Sequence, residues 1–485
     1  MTSKERLLKR SRFLGIGSAL IVAMWLATAT VGSAQTFKTL VNFDGADGQY
    51  PFTSLVQGRD GNFYGTTSWG TGPGTVFKIT PGGDLTTLYT FCSQPTCTDG
   101  DQPWVGLVLG TDGNFYGTTF YGGADPNGGT VFKITPGGRL TTLYSFCSQT
   151  NCAAGHYPWA GLVQASDGNF YGTTYDDPTN SGLGTVFKIT PEGSLTTLHT
   201  FTGPDGLWVE SGLIQATDGN LYGTASGGGA YGDGTVFRIT LGGALTTLHS
   251  FNYADGAYPS AALIQAADGS FYGTTEQGGA NGRPGTVFKI TPTGKLTTLH
   301  SFNISDGAYT YAGLIQASDG NFYGATTGGG VDPSDCSWGA GCGTVFQITP
   351  AGTLTTLHSF QGTDGDYPMQ ALLQATNGKF YGTAAGRAAC CFGIGDGTVF
   401  SLDMGLGPFV TFVRSYGKAG QRAEILGQGF GGTTGVSFNG TAATFTVYGG
   451  TFLVATVPAG ATTGPVTVTT SRRTLTSNVP FRVMP

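Results

Sequence analysis

Charge is scarce in this chain. Only 11% of its 485 residues are Asp, Glu, Lys or Arg, and just five are histidine. No run or stripe of basic residues occurs beyond residue 12. Affinity for nucleic acid or an anionic membrane surface therefore has no electrostatic basis. A helical hydrophobic period is missing beyond the N-terminal segment, which excludes bundles and coiled coils. No C-x-x-C pair is present among the eight cysteines, so the usual zinc-ligand spacing is absent. What abounds is glycine, 84 residues in all. These glycines sit at fixed turn positions between apolar strands, the pattern of a turn-rich folded protein.

Residues 1–34 read as a secretory signal. Lys4, Arg6, Lys9, Arg10 and Arg12 precede an apolar stretch over 13–27, and Gly32-Ser33-Ala34 offers small residues before Gln35. An uncleaved anchor is the competing reading, since 15–34 approaches the ~20 residues of a membrane span. Cleavage removes five basic and one acidic residue, leaving 18 Lys and Arg against 28 Asp and Glu, a net charge of −10. No membrane span is expected after removal. In an exported chain, Cys92/Cys97, Cys147/Cys152 and Cys336/Cys342 bracket short loops and read as local disulfides. Each would contribute about 2 kcal/mol of chain entropy at best, enough to staple a loop but not to hold a fold. Cys390 and Cys391 are adjacent and their state is open.

One phrase recurs seven times. It starts with Asp60-Gly61-Asn62-Phe63-Tyr64-Gly65-Thr66-Thr67, continues with Gly74-Thr75-Val76-Phe77-Lys78-Ile79-Thr80, and ends with Leu85-Thr86-Thr87-Leu88-Tyr89-Thr90-Phe91. The Asp-Gly pair returns at Asp112, Asp167, Asp218, Asp268 and Asp319, and as Asn377-Gly378, at steps of 50 to 58 residues. That period suits a propeller blade better than a solenoid rung. The fifth repeat reads as four strands: 262–266, 270–275, 286–291 and 296–302, the first two joined by the hairpin turn Asp268-Gly269. Residues 37–43 match a fourth strand but precede the first complete set, and the seventh repeat lacks its own fourth strand. The N-terminal strand would fill that place and remove an exposed edge. The expected fold is all-β: a seven-bladed β-propeller over 35–405 closed by the N-terminal strand, then an immunoglobulin-like β-sandwich over 406–485.

Up-and-down strand order puts the Asp-Gly turns on one face of the disc. The second loop of each repeat and the connection between repeats lie on the other. All length variation and all eight cysteines fall on that second face, where function is expected.

After residue 402 a different pattern begins. Pro408-Phe409-Val410, Ile425-Leu426-Gly427-Gln428-Gly429-Phe430, Val436-Ser437-Phe438-Asn439-Gly440-Thr441-Ala442-Ala443 and Val457-Pro458-Ala459-Gly460 resemble the immunoglobulin-like IPT/TIG domain. The repeats resemble the GloVer (Gloeo/Verruco) tandem repeats of exported bacterial proteins. Together the two resemblances cover 36–485. They imply a secreted or cell-surface setting with varied anchors and no established chemistry; this chain departs in lacking a recognisable C-terminal anchor. The unit Asp-Gly-Asn-Phe/Leu-Tyr is also similar to blades of streptogramin-lyase-type propellers, which implies a histidine base and metal-binding acids at the channel. Here His156 alone is available on that face.

Candidate site residues come from the connection Asp-Gly-x-Tyr-Pro. Its aromatic position holds Tyr50, Tyr157, Trp208, Tyr258, Tyr309 and Tyr367, with Gln102 as the exception. Such rings suit sugars or extended polymers; packing between blades is the reading that their repetition favours, since site residues need not occur in every blade. Beside them, Asp47, Asp99, Asp205, Asp255, Asp306 and Asp364, with Ala154 in the third repeat, either ring a cation or cap their own turns. His199, His249, His300 and His358 share one position on the outermost strand, occupied earlier by Tyr89 and Tyr144, and cannot converge on one ion. Asp101, Glu210, Asp332 and Asp366 lie on the variable face and could include a carboxylate pair, though sequence cannot pair them. No catalytic set, metal site or cofactor is assigned. The expectation is an extracellular protein that binds a glycan or a surface protein through this face. An extracellular hydrolase or lyase and a structural spacer are the alternatives.

Overall fold

The computed structural model describes residues 35–69, 72–148, 152–176, 182–331, 336, 341–386 and 396–484. Among them there is no α-helix. The expected leader, Cys390, Cys391 and Asp332 lie outside these residues.

Seven four-stranded antiparallel sheets make up the repeat region. In the fifth, Ile264–Gln265 pairs with Phe271–Thr275, which pairs with Thr286–Ile290, which pairs with Leu296–Ser301. A bulge between Val287 and Phe288 recurs at the same place in five other repeats. The seventh sheet takes the N-terminal strand Thr36–Asn42 against Thr398–Asp403, so the two ends of the array share one sheet, as expected. The first strand of each repeat is only two residues long, shorter than the sequence pattern suggests. Its far edge has no strand to pair with and faces a central cavity.

The second strand, Phe-Tyr-Gly-Thr-Thr or a close variant, is buried at all five positions in every repeat. Its glycine is a close-approach residue: a Cβ on Gly273 would sit 2.6 Å from Phe288 Cζ. The tyrosine does two things. Its hydroxyl donates to the turn aspartate four residues earlier, at 2.8–2.9 Å in six repeats. Its ring packs on the phenylalanine of the next sheet, with centroids 4.1 Å apart for Tyr64–Phe115 and Tyr272–Phe322. The same contact joins the last sheet to the first, Tyr381 to Phe63 at 4.2 Å. There Asn377 replaces the aspartate and donates to the tyrosine oxygen instead.

Residues 411–476 form two further four-stranded sheets around a single core that includes Ile425, Phe430, Phe438, Leu453, Val466 and Phe481. This unit sits against the Asp-Gly turns. Arg59 Nη2 donates to Glu424 Oε2 at 2.5 Å, and Thr451 Oγ1 to the Arg59 carbonyl at 2.8 Å. Gln428 Nε2 donates to Thr376 Oγ1 at 2.9 Å. Arg482 donates to the Ala216 and Thr217 carbonyls. These turns belong to repeats one, seven and four, on opposite sides of the array.

Removing one joint should therefore be felt throughout. Tyr381→Ala deletes the ring that joins the last sheet to the first and is expected to lower the unfolding free energy by about 3–5 kcal/mol. Urea denaturation reads this. A change under about 1 kcal/mol would show that closure does not rest on the seam.

Candidate functional site

Each connection between repeats is held by one residue with left-handed backbone: Tyr50, Gln102, Tyr157, Trp208, Tyr258, Tyr309 and Tyr367, with φ between 53° and 57°. Non-glycine residues rarely adopt this conformation, which costs of order 1 kcal/mol. Hydrogen bonds compensate. The Tyr258 N–H donates to the Asp233 carbonyl of the preceding repeat, and its own carbonyl accepts from the Glu276 N–H. Equivalent pairs hold Trp208 between Gly182 and Ser226, and Tyr309 between Pro284 and Thr327. Two backbone positions are thereby fixed near the axis in every repeat: the residue two beyond the left-handed one, and the residue following the second strand.

The first of these positions lines a cavity of about 530 Å³ to which all seven repeats contribute, as Phe52, Trp104, Trp159, Glu210, Ser260, Tyr311 and Met369. Its two halves differ. Repeats one to three supply an aromatic arc. Phe52 stacks on Trp104 at 5.6 Å, Trp104 lies 4.9 Å from Trp159, and Trp159 lies 5.5 Å from Tyr175, with Phe120 against both tryptophans. Repeats four to six supply Glu210, Ser260, Glu276 and Tyr311. Burial pushes the Glu210 carboxyl up to about 7, against hydrogen bonds from Ser260 and Ser226 and with the Glu276 charge adding to the rise. Tyr311 is raised by burial, then by the charge of Glu276 and its hydrogen bond to that residue, and further by Glu210. A carboxyl that is half-protonated at neutral pH, beside a second carboxylate, can donate or accept a proton or hold a cation.

The expected aromatic ring lies just outside this wall. Tyr50, Tyr157, Trp208, Tyr258, Tyr309 and Tyr367 are partly exposed, Trp208 most of all, and none lines the cavity itself. Tyr157 touches the wall by stacking on Phe120 at 4.7 Å. Of the three described acids singled out on this face, Glu210 alone lines the cavity. Asp101 is half-buried, with its carboxyl raised to about 6 by burial, and Asp366 is fully buried. His156 pairs with Asp176 at 3.6 Å. The residues that sequence reasoning missed are Phe52, Trp104, Trp159, Glu276 and Tyr311. For Phe52, Trp104, Trp159 and Tyr311 a signal was present, because the position two beyond the left-handed residue changes from repeat to repeat; Glu276 follows a second strand instead and does not share it.

The remaining candidates are structural. His199, His249, His300 and His358 bond Asp205, Asp255, Asp306 and Asp364 at 2.8–3.2 Å. Each of those aspartates also accepts from the backbone N–H three residues earlier, so the connection is tied to the fourth strand. Asp99 does the same with Tyr89 at 2.6 Å, and Asp47 accepts from the Asp44 N–H. The three expected disulfides, Cys92–Cys97, Cys147–Cys152 and Cys336–Cys342, are formed. Cys147, Cys152 and His156 converge within 4.8 Å, but both sulfurs are engaged in a disulfide and offer no thiolate.

Repeated four-stranded sheets around a shared cavity define a propeller-like protein. The sequence pattern of the Gloeobacter/Verrucomicrobia repeat matches residues 27–216 and 207–386, more than half of the chain. The chain belongs to that repeat family. No curated protein matches it. Among solved structures it is similar to the PQQ-bound aldose sugar dehydrogenase of Streptomyces coelicolor (12% identity, 76% of this chain and 98% of that one, TM-score 0.39). It is also similar to a gluconolactonase of Xanthomonas campestris (12% identity, 60% and 87%, TM-score 0.37). A third is a candidate 6-phosphogluconolactonase of Bacteroides fragilis (18% identity, 66% and 86%, TM-score 0.43). At these values no activity carries over to this chain.

The raised Glu210 carboxyl gives a signed expectation. Folding holds its proton tighter than the unfolded chain does, so stability falls as pH rises from the unfolded value near 4.5 through about 7. Glu210→Gln should leave the melting temperature nearly unchanged at pH 5 and raise it at pH 8. Equal effects at both values, read by calorimetry, would place Glu210 in a solvated setting.

Proposed function

We propose that the seven sheets form a closed seven-bladed propeller, that residues 406–485 form an immunoglobulin-like sandwich of the IPT/TIG kind, and that the exported protein binds a saccharide in the central cavity. The observation that carries the binding reading is the asymmetry of the wall: an arc of Phe52, Trp104 and Trp159, backed by Phe120, on one side and Glu210, Ser260, Glu276 and Tyr311 on the other. Flat aromatic faces cover the C–H side of a sugar ring while carboxylates and hydroxyls meet its hydroxyl groups. The volume falls in the range of small-molecule sites. Tyr50, Tyr157, Trp208, Tyr258, Tyr309 and Tyr367 would add contacts at the mouth, among loops stapled by the disulfides. The disulfides fit an oxidising compartment, extracellular or periplasmic, and no helix among the described residues is long and apolar enough to cross a membrane.

One observation favours a second reading, hydrolysis. Glu210 keeps its proton to about pH 7 beside Glu276, which is the division of labour between a general acid and a base. Glu210 would protonate the leaving oxygen while Glu276 activates water.

A glycan array probed with the oxidised mature chain tests both. Trp104→Ala and Trp159→Ala are each expected to weaken a hit about tenfold or more, and Tyr258→Ala and Trp208→Ala to weaken it less. A hit indifferent to the tryptophans would move the ligand out of the cavity. Release of shorter products from a bound oligosaccharide, lost in Glu210→Gln, would establish hydrolysis.

A further inference from the structure

The cavity wall carries negative charge that the protein leaves unanswered. Among the described residues, none that lines it is Lys, Arg or His. The Ser226 and Ser260 hydroxyls near Glu210 donate to the Trp208 and Tyr258 carbonyls, and Glu276 accepts from Gln277 Nε2 at 3.4 Å with the Tyr311 hydroxyl close by. Neither carboxylate has an ion-pair partner among the described residues. Thr327, which holds in repeat six the position that Glu276 holds in repeat five, is more than nine-tenths buried and its hydroxyl has no partner.

Building on the saccharide reading, we infer that this cavity selects an amino sugar with a free ammonium group, held by Glu210 and Glu276 while its ring lies on Trp104 and Trp159. An anionic sugar would bring further negative charge into a poorly solvated space where no described residue supplies a cation to meet it. A neutral sugar leaves burial and the charge of Glu276 holding the Glu210 proton in place. An ammonium answers both and gains further from the aromatic faces, whose quadrupoles attract cations. A metal ion fits less well. Two carboxylates fall short of the six to eight oxygens that calcium takes, and the aromatic arc gives it nothing.

The test compares two probes of equal length at pH 7 by calorimetry: fully deacetylated chitotriose and its N-acetylated form. The deacetylated trimer is expected to bind at least tenfold tighter, with the preference shrinking as salt rises. Glu210→Gln should reduce that preference to threefold or less, and Glu276→Gln, checked for folding by circular dichroism, provides a second route to the same outcome. Trp104→Ala should weaken both probes. If both trimers bind and the acetylated one binds as well or better, the amino-sugar selectivity is overturned while the saccharide reading stands. If the deacetylated trimer binds tighter but both Gln variants keep the full preference, the assignment to these carboxylates is overturned. If neither trimer binds, the selectivity falls, and a blank glycan array would take the saccharide reading with it.

Discussion

The contact on which everything else rests is a tyrosine ring trapped between two sheets. One end of it is fixed by the turn aspartate of its own repeat, and its face is set against the phenylalanine of the next. Burial alone would raise the Asp167 carboxyl, but hydrogen bonds from the Asn169 side chain, the Tyr171 hydroxyl and the Asn169 backbone outweigh it and hold the carboxyl below its usual value. The bond is therefore charge-assisted, and it sets the ring angle as well as joining the parts. Each aromatic pair contributes roughly 0.5–1.5 kcal/mol beyond its buried area. Repeated around the array and once across its ends, the pair makes neighbouring sheets depend on one another. Where Leu221 replaces the phenylalanine, the fourth sheet still packs on Tyr171, so the joint tolerates loss of ring-to-ring geometry if the volume is filled.

That rigidity is what allows the inner wall to vary. The strained residue before each first strand is held from both sides by main-chain hydrogen bonds, and these do not depend on which side chain follows. Phe52, Trp104, Trp159, Glu210, Ser260, Tyr311 and Met369 occupy seven versions of one backbone setting. Mutation there changes the chemistry of the wall without touching the joints. The rim is the reverse: His199, His249, His300 and His358 repeat because the bond to the connection aspartate repeats.

Much of this was legible in the sequence because it is periodic. Asp-Gly turns, alternating strands and the odd N-terminal strand all follow from local rules applied seven times, and the short Cys spacings led to the three disulfides. The site was less legible for a physical reason. The conspicuous feature, an aromatic in six of seven connections, marks the residue that bears backbone strain, and its side chain is carried to the edge of the cavity. The residues that face inward vary, so they have no word to repeat. Glu210 was visible as an acid on the right face, but its neighbour Glu276 lies 66 positions away in a different loop, and only the curvature of the array brings the two together. The length of the first strand was overestimated because apolar residues beside a cavity look the same as apolar residues in a ladder.

The placement of the C-terminal unit has a topological consequence. By gripping turns of repeats one, four and seven it ties together sheets that lie far apart around the array. Sheets one and seven are the two that meet at the seam, so the same unit clamps the place where the array would open first. An array whose two ends are held both by Tyr381 on Phe63 and from outside has no loose repeat from which to fray.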